Sequence, residues 1–531
     1  MASNSNSSGA MQRSHVPNSI LELPYVLCHP TISSSLGVTV RLLATSKTVA
    51  TAARAARIHQ LQELHLNLTS SSKAQQAATW LEKNACLLQG VRTLQLKLDR
   101  AATAKCSSAP GMWTWAMLAS HFTGMFGRST ISAAAAAAIL RSMPKTLSKV
   151  NLQLQNNGHG CSMIRAELEA LPNLQSISIA GPGAAACLLS KPIPSTTFSQ
   201  LTSIRLGTIR SPAEVAKLLR GLPASLPQLR LDVGTPDRAP GGIAVDRILQ
   251  ALHSVQMAHL TALTTLHVTG KRFFIEEEST LPPNLINLTV PCVMHERPLM
   301  QLSRLQRLDV NSIDSLLPEG FAGIALCLTQ LTHMNIDMLY IEDDNAPQVI
   351  AALAALPLKP LGVASHGPPQ EGAAAGMFGP AALEGLLGQL TSLTSLRLVG
   401  GAYAVADVAA SLAGLTGLQE LMLSAAGVRN PMLRKPSLFA NVEHDESLAA
   451  AIVGLKQLRL LSAQAAWFGS GYAEGDQLHP IMRLQAATQL THLDLSKLES
   501  DPDMQTPDWK ALINSLPDVE MGGELAAFWL R

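Results

Sequence analysis

The sequence is poor in aromatic residues and in charge, and both shortages limit what the protein can be. Only 4% of its 531 residues are aromatic, so a core drawn from its 47% apolar residues must consist mainly of Leu, Ile, Val, Met and Ala. Charged residues make up 15%, with 40 Lys and Arg against 38 Asp and Glu. The resulting net charge of +2 gives no strong field that would attract nucleic acid or an acidic membrane.

Closely spaced cysteines and long apolar runs are also missing. The seven cysteines are scattered without a CxxC pair, which indicates reduced thiols in an intracellular protein rather than a disulfide framework. No window reaches the roughly 18 uninterrupted apolar residues of a membrane helix. We therefore expect a cytoplasmic or nuclear protein without membrane insertion. The Ser-rich, acid-poor N-terminus leaves import into an organelle open.

Short motifs that carry enzymatic or cofactor chemistry are absent as well. The sequence has no GxxxxGK[ST], HExxH or GxSxG motif, and its 15 histidines are dispersed. The acidic runs at Phe273–Thr280 and Tyr340–Pro347 are interpreted as solvated loops, since neither has the Gly that a calcium loop needs. We predict a protein that is not an enzyme and has no cofactor, metal or catalytic residue. An enzyme acting through inserted loops is an alternative.

What the sequence does contain is a repeated phrase, φxxφxφ, in which φ is apolar. Clear copies are LTSLRL from Leu393 and LTHLDL from Leu490, and about sixteen copies lie between Leu61 and Leu516 at a spacing of about 25 to 30 residues. The closing φxφ predicts a short strand with one buried face. Helical stretches such as Val405–Leu415 separate the copies. Such a unit buries its apolar face only by stacking on the next unit.

The phrase resembles the leucine-rich repeat, and the resemblance covers residues 58–531. It implies an α/β solenoid, a leucine-rich-repeat horseshoe with parallel strands on the concave face, helices on the convex face, and loop insertions. The family's Asn or Cys, three positions after the last strand Leu, is replaced here by Thr69, Ile209, Lys271, Gly401 and Ala426. We expect these turns to be satisfied by the backbone or by water.

The longest interruption of the repeat runs from Gly90 to Leu147 and contains Trp113 and Trp115. If exposed, these tryptophans would be a binding anchor, because Trp is enriched at interface hot spots. If buried, they would fill a small core belonging to the insertion itself. The sequence leaves both interpretations open.

Residues before Ile58 do not fit the repeat. Residues 1–19 are expected to form a disordered polar tail, and residues 20–57 resemble a degenerate F-box, with Leu23-Pro24 followed by apolar residues and then by RLLATSK at 41–47. In the F-box family this segment binds the adaptor subunit of an SCF ubiquitin ligase, and the repeats hold the substrate. A helical cap that closes the first repeat and an organelle transit segment are the other interpretations.

We expect the concave strand face to bind a protein partner whose identity the sequence does not reveal. Mixed charge on that face suits a patterned protein surface better than a polyanion. A substrate receptor of an SCF-type ubiquitin ligase is the specific form of this hypothesis, and a structural scaffold in an organelle or large assembly is the alternative. The candidate partner-binding residues occupy one equivalent strand position: Arg205, Arg230, His267, Asp309, Asn335, Arg397, Met422 and Asp494.

Overall fold

A computed structural model describes the strands and helices of the repeats. The residues it describes are 63–68, 71–83, 85–98, 133–154, 161–181, 188, 198–207, 209, 212–233, 255–270, 273–313, 318–339, 346–364, 385, 387–399, 405–424, 446–464, 480–496, 512, 514–516 and 519–522. The chain divides into two compact units, unit 1 at residues 1–207 and unit 2 at residues 208–531. The polar tail at 1–19, the F-box-like segment at 20–57 and the loop with Trp113 and Trp115 lie outside the described residues.

The described part of unit 1 alternates strands with helices. Its strands are β1 (Glu63–Leu68), β2 (Thr93–Leu98), β3 (Lys149–Gln153), β4 (Ser176–Ala180) and β5 (Ser203–Leu206). Its helices are α1 (Ser71–Lys83), α2 (Ala133–Arg141) and α3 (Cys161–Glu169), with a 3-10 helix at Ala85–Leu88. Each strand pairs in parallel with the next strand along the chain.

The described part of unit 2 continues the same alternation. Its strands are β6 (Gln228–Asp232), β7 (Thr265–Thr269), β8 (Phe274–Ile275), β9 (Asn287–Val293), β10 (Arg307–Ile313), β11 (His333–Leu339), β12 (Pro360–Ala364), β13 (Ser395–Val399), β14 (Glu420–Ser424), β15 (Leu460–Gln464), β16 (His492–Ser496) and β17 (Glu520–Gly522). Its helices are α4 (Pro212–Gly221), α5 (Arg297–Met300), α6 (Pro318–Cys327), α7 (Ala346–Ala354), α8 (Val405–Leu412) and α9 (Glu446–Gly454), with a 3-10 helix at Pro480–Ala486. β6 pairs with β7, β7 with β9, and each later strand with the next, all in parallel.

Every predicted copy of the repeated phrase forms a strand. The clear copy at Leu393 becomes β13, and the weak copies at Leu358 and Leu516 become β12 and β17. Parallel strands joined through helices in strict chain order make the fold an α/β solenoid of the leucine-rich-repeat type, which confirms the predicted fold class. Among the described residues, no helix combines the length and apolarity needed to span a membrane.

The core comes from the alternation that the phrase predicts. In β3, Val150 and Leu152 are buried whereas Lys149, Asn151 and Gln153 are exposed. Where it is described, the first Leu of the phrase also lies in the core, as Leu393 does with no exposed surface. One strand face is therefore buried in each repeat, and the other face is left to solvent.

Backbone hydrogen bonds satisfy the turn at Ile209, as expected, and similar bonds occur after other strands, whereas Thr69, Lys271, Gly401 and Ala426 lie outside the described residues. The Ile209 N–H donates to the Asp232 carbonyl at 2.9 Å, and the Val233 N–H donates to the Thr269 carbonyl at 2.8 Å. In unit 1 the Leu154 N–H donates to the Ala180 carbonyl at 2.7 Å. Each bond joins one repeat to the next, so the described turns need no side-chain ladder.

A side-chain ladder does exist, at the entry to the strands. The Gln306 carbonyl accepts the N–H groups of Thr332 and His333 at 2.9 and 3.0 Å, and it also accepts the Thr332 hydroxyl at 3.3 Å. The Arg459 carbonyl accepts the same three groups from Thr491 and His492. The Thr or Ser after the first Leu of the phrase is therefore a structural residue that ties successive repeats together.

One sequence-based interpretation needs correction. The prediction of a solvated loop at Phe273–Thr280 holds for Glu277 and Glu278, which are exposed. It is wrong for Phe273 and Ile275, which are completely buried. Here β8 pairs with the end of β9 and forms a strand that the phrase did not predict. The run at Tyr340–Pro347 lies almost wholly outside the described residues.

Candidate functional site

The solvent face of the unit 2 strands carries one residue per repeat in continuous register. We call this set the central row, and it comprises Arg230, His267, Thr289, Asp309, Asn335, Gly362, Arg397, Met422, Ser462, Asp494 and Gly522. Neighbouring strands lie about 4.8 Å apart, so these positions form a line about 50 Å long. The parallel hydrogen-bonded backbone holds the line in place.

The predicted partner-binding residues fall into two groups. Seven of them belong to the central row: Arg230, His267, Asp309, Asn335, Arg397, Met422 and Asp494. The eighth, Arg205, is an exposed residue of β5 in unit 1, where it lies in register with Ser178. That these residues bind a partner stays a prediction.

Near the start of the row, polar side chains on neighbouring strands pair with one another, although Arg230 itself has no partner among the described residues. Asp309 is the centre of one cluster, because its Oδ2 accepts the Arg307 Nε–H at 2.8 Å and the Thr289 hydroxyl at 3.3 Å. On β6 and β7, the Thr269 hydroxyl donates to Asp232 Oδ1 at 3.3 Å. These bonds fix the side chains and neutralise much of the local charge.

Between β12 and β15 the character of the face changes. Besides Arg397 it presents Pro360, Gly362, Met422 and Leu460, and we call these five residues the Arg397 patch. Met422 is 39% exposed, which is unusual for a large apolar side chain on the described surface. Gly362 has no side chain of its own. A Cβ placed there would collide with the Asn335 side-chain oxygen, so the Asn335 amide covers the glycine.

The row becomes polar again at β16. The Ser462 hydroxyl donates to Asp494 Oδ2 at 3.5 Å, and Asp494 Oδ1 is buried without a hydrogen-bond partner among the described residues. Two residues before Asp494 on the same strand, His492 Nδ1 lies 3.8 Å from Glu520 Oε2 on β17. The Arg397 patch is therefore flanked by polar surface on both sides.

Some residues of this face were missed at the sequence level. Arg307, Pro360, Glu420 and Leu460 each lie two residues before a member of the central row and face the same way. The period-two alternation of a strand was the signal that could have identified them. Their proximity to the row matters because Arg307 neutralises Asp309, whereas Pro360 and Leu460 make the Arg397 patch apolar.

Histidines do not form a metal site on the described surface. His267 lies in the central row, whereas His333 and His492 lie two positions earlier on their strands than the row members Asn335 and Asp494. Within the described ranges no three residues of the types His, Cys, Asp and Glu come close enough to hold a metal ion. The described residues of this face offer groups for ion pairs, hydrogen bonds and apolar contact.

Comparisons with known proteins give structural neighbours but no sequence relatives. Neither a protein-family model nor a curated protein matches the sequence. An internalin from Listeria monocytogenes is similar at TM-score 0.32 and 16% identity, covering 73% of this chain and 82% of that one. The leucine-rich-repeat protein LegL7 from Legionella pneumophila is similar at TM-score 0.27 and 13% identity, covering 86% and 99%.

A third neighbour comes from the crystal structure of the yeast Rad7 and Elc1 complex. It is similar at TM-score 0.33 and 12% identity, covering 87% of this chain and 90% of that chain. The assignment of a leucine-rich-repeat solenoid rests on the strand register and the repeated phrase of this chain.

Proposed function

We propose that this protein is a non-catalytic interaction module that binds a protein partner on the central row and on the strand residues beside it. The observation that carries the proposal is the register itself, which places eleven residues from successive repeats in one line on the solvent face. A line of about 50 Å is long enough for an interface of standard size, about 800 Å² per partner.

The composition of the row supports a protein ligand. It contains cations, carboxylates, amides, hydroxyls and a methionine, whereas a polyanion would select a face of one sign. Because neighbouring side chains such as Thr289, Arg307 and Asp309 already hold one another, they lose little freedom on binding. A preorganised face of this kind keeps more of its interaction energy as affinity.

Site-specific crosslinking tests the proposal. A photoreactive amino acid is placed at Thr289 or Ser462 on the central row, and for comparison at Lys217 on α4 or Ala410 on α8, which are exposed helix positions. After irradiation in cells, we expect row positions to give crosslinks to a common protein, identified by mass spectrometry. Crosslinks from the helix positions alone would contradict the proposal.

A finer proposal concerns the segment before the repeats. We propose that the chain is a substrate receptor of an SCF-type ubiquitin ligase, with residues 20–57 binding the adaptor subunit. Its support is the sequence Leu23-Pro24 with RLLATSK at 41–47, which resembles an F-box and directly precedes the repeats. These residues lie outside the described part of the chain.

Adaptor binding is directly measurable. We expect purified SCF adaptor to bind the full chain and to lose at least about tenfold in affinity when Leu23 is replaced by Asp, because the contact would be apolar. Ser34→Asp is the control for added charge, and Asp309→Lys is the control for the repeat surface. If the adaptor fails to bind the full chain, residues 20–57 are a helical cap or an organelle transit segment. In that case the crosslinking result still decides whether the central row binds a protein.

A further inference from the structure

Arg397 and Arg230 are the two arginines of the central row, and neither has a partner among the described residues. Arg397 differs from Arg230 in its neighbours, because it lies opposite the apolar Met422 whereas Arg230 lies opposite His267. Arg307 donates to Asp309 at 2.8 Å, and Arg459 donates to the Gln489 carbonyl at 3.1 Å. Arg397 is exposed and makes neither an ion pair nor a hydrogen bond with any described residue. Its guanidinium, with five N–H donors, is therefore available to an incoming acceptor.

One carboxylate lies near Arg397 without neutralising it. Glu420 is in register with Ser395, which puts it on the diagonal from Arg397 across β13 and β14. Diagonal neighbours are about 7 to 8 Å apart, a distance that long side chains can bridge, but Arg397 and Glu420 form no ion pair here. Glu420 is itself exposed, so it lowers the local positive potential but leaves the guanidinium free.

Apolar side chains lie on the strands to either side of Arg397, and Ser395 lies two residues before it on its own strand. Met422 lies directly opposite on β14, Leu460 lies one strand further on β15, and β12 contributes Pro360, whereas Gly362 is buried beneath the Asn335 amide. Arginine and methionine are enriched in the cores of protein interfaces, whereas other charged residues are depleted there. The patch thus combines the charge and the apolar contact of an interface hot spot.

We propose that the Arg397 patch is the anchor of the partner and takes an acidic side chain with a bulky apolar residue close to it in sequence. This inference rests on the proposed binding function and specifies the chemistry of the partner. The carboxylate would accept two parallel hydrogen bonds from Arg397, and the apolar side chain would cover Met422 and Leu460. Methionine favours an aromatic residue in that place.

Strand spacing sets the distance between the two partner residues. Met422 is about 5 Å and Leu460 about 10 Å from the strand of Arg397, measured across the sheet. An extended peptide advances about 3.3 Å per residue and its side chains alternate between two faces, so the residue two positions from the carboxylate, about 7 Å away, faces the sheet between Met422 and Leu460. The expected recognition element is an Asp or Glu with an aromatic or large aliphatic residue two positions away.

Peptide selection tests this chemistry while the partner itself is still unidentified. A random peptide library displayed on phage is selected on the purified full chain and on an unrelated protein. We expect peptides with the acidic and bulky apolar pair to be enriched on the full chain only. No enrichment, or enrichment of peptides without an acidic residue, would overturn the proposal.

Variants of the chain then locate the binding site. For a synthetic peptide from the selection, Arg397→Glu is expected to weaken Kd at least about tenfold, and Arg397→Lys less, because lysine loses the bidentate geometry. Glu420→Gln is expected to tighten binding about twofold by removing a like charge near the peptide carboxylate. Arg220→Glu on α4 is the matched charge reversal away from the strand face and should leave Kd unchanged.

The peptide-binding and crosslinking results test this inference and the proposed function separately. If the peptide binds Arg397→Glu as well as the natural chain, the patch is not the anchor. Crosslinks from Thr289 and Ser462 would still establish that the central row binds a protein. Circular dichroism melting of every variant checks that lost binding does not reflect lost folding, and Arg397→Lys retains the charge if Arg397→Glu destabilises the chain.

Discussion

Replacing Gly270 by alanine is expected to destabilise the protein by about 3 kcal/mol, a large effect for a single added methyl group. Gly270 follows β7 with a φ of +111°, where residues with a side chain are strained. A Cβ at this position would collide with the carbonyl oxygen of Val233. That carbonyl belongs to the turn after β6, and the neighbouring Val233 N–H already bonds to Thr269. The added methyl group therefore forces apart the backbones of two adjacent repeats.

Gly221 provides the matched control for this substitution. It is the last residue of α4 in the same unit, its φ is not positive, and a Cβ there meets nothing within 4 Å. Gly221→Ala is expected to be neutral or to stabilise by up to about 1 kcal/mol, because alanine has the higher helix propensity. Urea unfolding followed by circular dichroism measures both changes. Equal midpoints for the two variants would show that β6 and β7 do not approach each other as closely as the Gly270 contact requires.

Strand positions could be predicted from the sequence because one periodic signal recurs in every repeat. Even the weak copy LKPLGV at Leu358 forms a strand, β12, although it contains Pro360 and Gly362. Its neighbours β11 and β13 are both regular strands that pair with it in register. In a repeat array, a segment with weak strand propensity can therefore still form a strand, because each repeat is stabilised by its contacts with the neighbouring repeats.

Pairing between side chains on the strand face could not be predicted in the same way. Arg307 and Asp309 share a strand, but Thr289 reaches Asp309 from β9, a contact that depends on the exact register between repeats. The difference between Arg307, which Asp309 neutralises, and the exposed, unneutralised Arg397 depends on such contacts between side chains. Both look alike in sequence as polar residues within a strand, so most of the row could be identified from the sequence but its anchor could not be singled out.

The strand β8 was missed for a related reason. Three consecutive glutamates follow Phe273–Ile275, and their charge suggested solvent exposure for the whole run. The acidic residues instead form a turn, in which the Ser279 N–H donates to the Glu276 carbonyl and the Glu276 N–H donates to the Ser279 hydroxyl, both at 3.0 Å. The turn holds the charges outside while the apolar residues before it enter the core.

This arrangement leads to the second large effect. Phe273→Ala is expected to destabilise the protein by about 4 kcal/mol, because Phe273 is completely buried and its loss leaves a cavity beside β9. Phe274→Ala removes the same side chain from the next residue. Phe274 is only half-buried because successive strand residues face opposite ways, so its loss is expected to cost about 1 kcal/mol.

The comparison of the two variants tests whether this segment is a strand or a loop, because both remove the same side chain and differ only in its position. Urea unfolding gives the two free energies, and hydrogen exchange at Met294, whose N–H donates to the Ile275 carbonyl at 2.8 Å, reports on β8 itself. We expect Phe273→Ala to speed that exchange far more than Phe274→Ala, since opening β8 exposes this bond. Similar losses for the two variants would mean that the segment is a loop after all. In that case the charge-based interpretation of its sequence would be right.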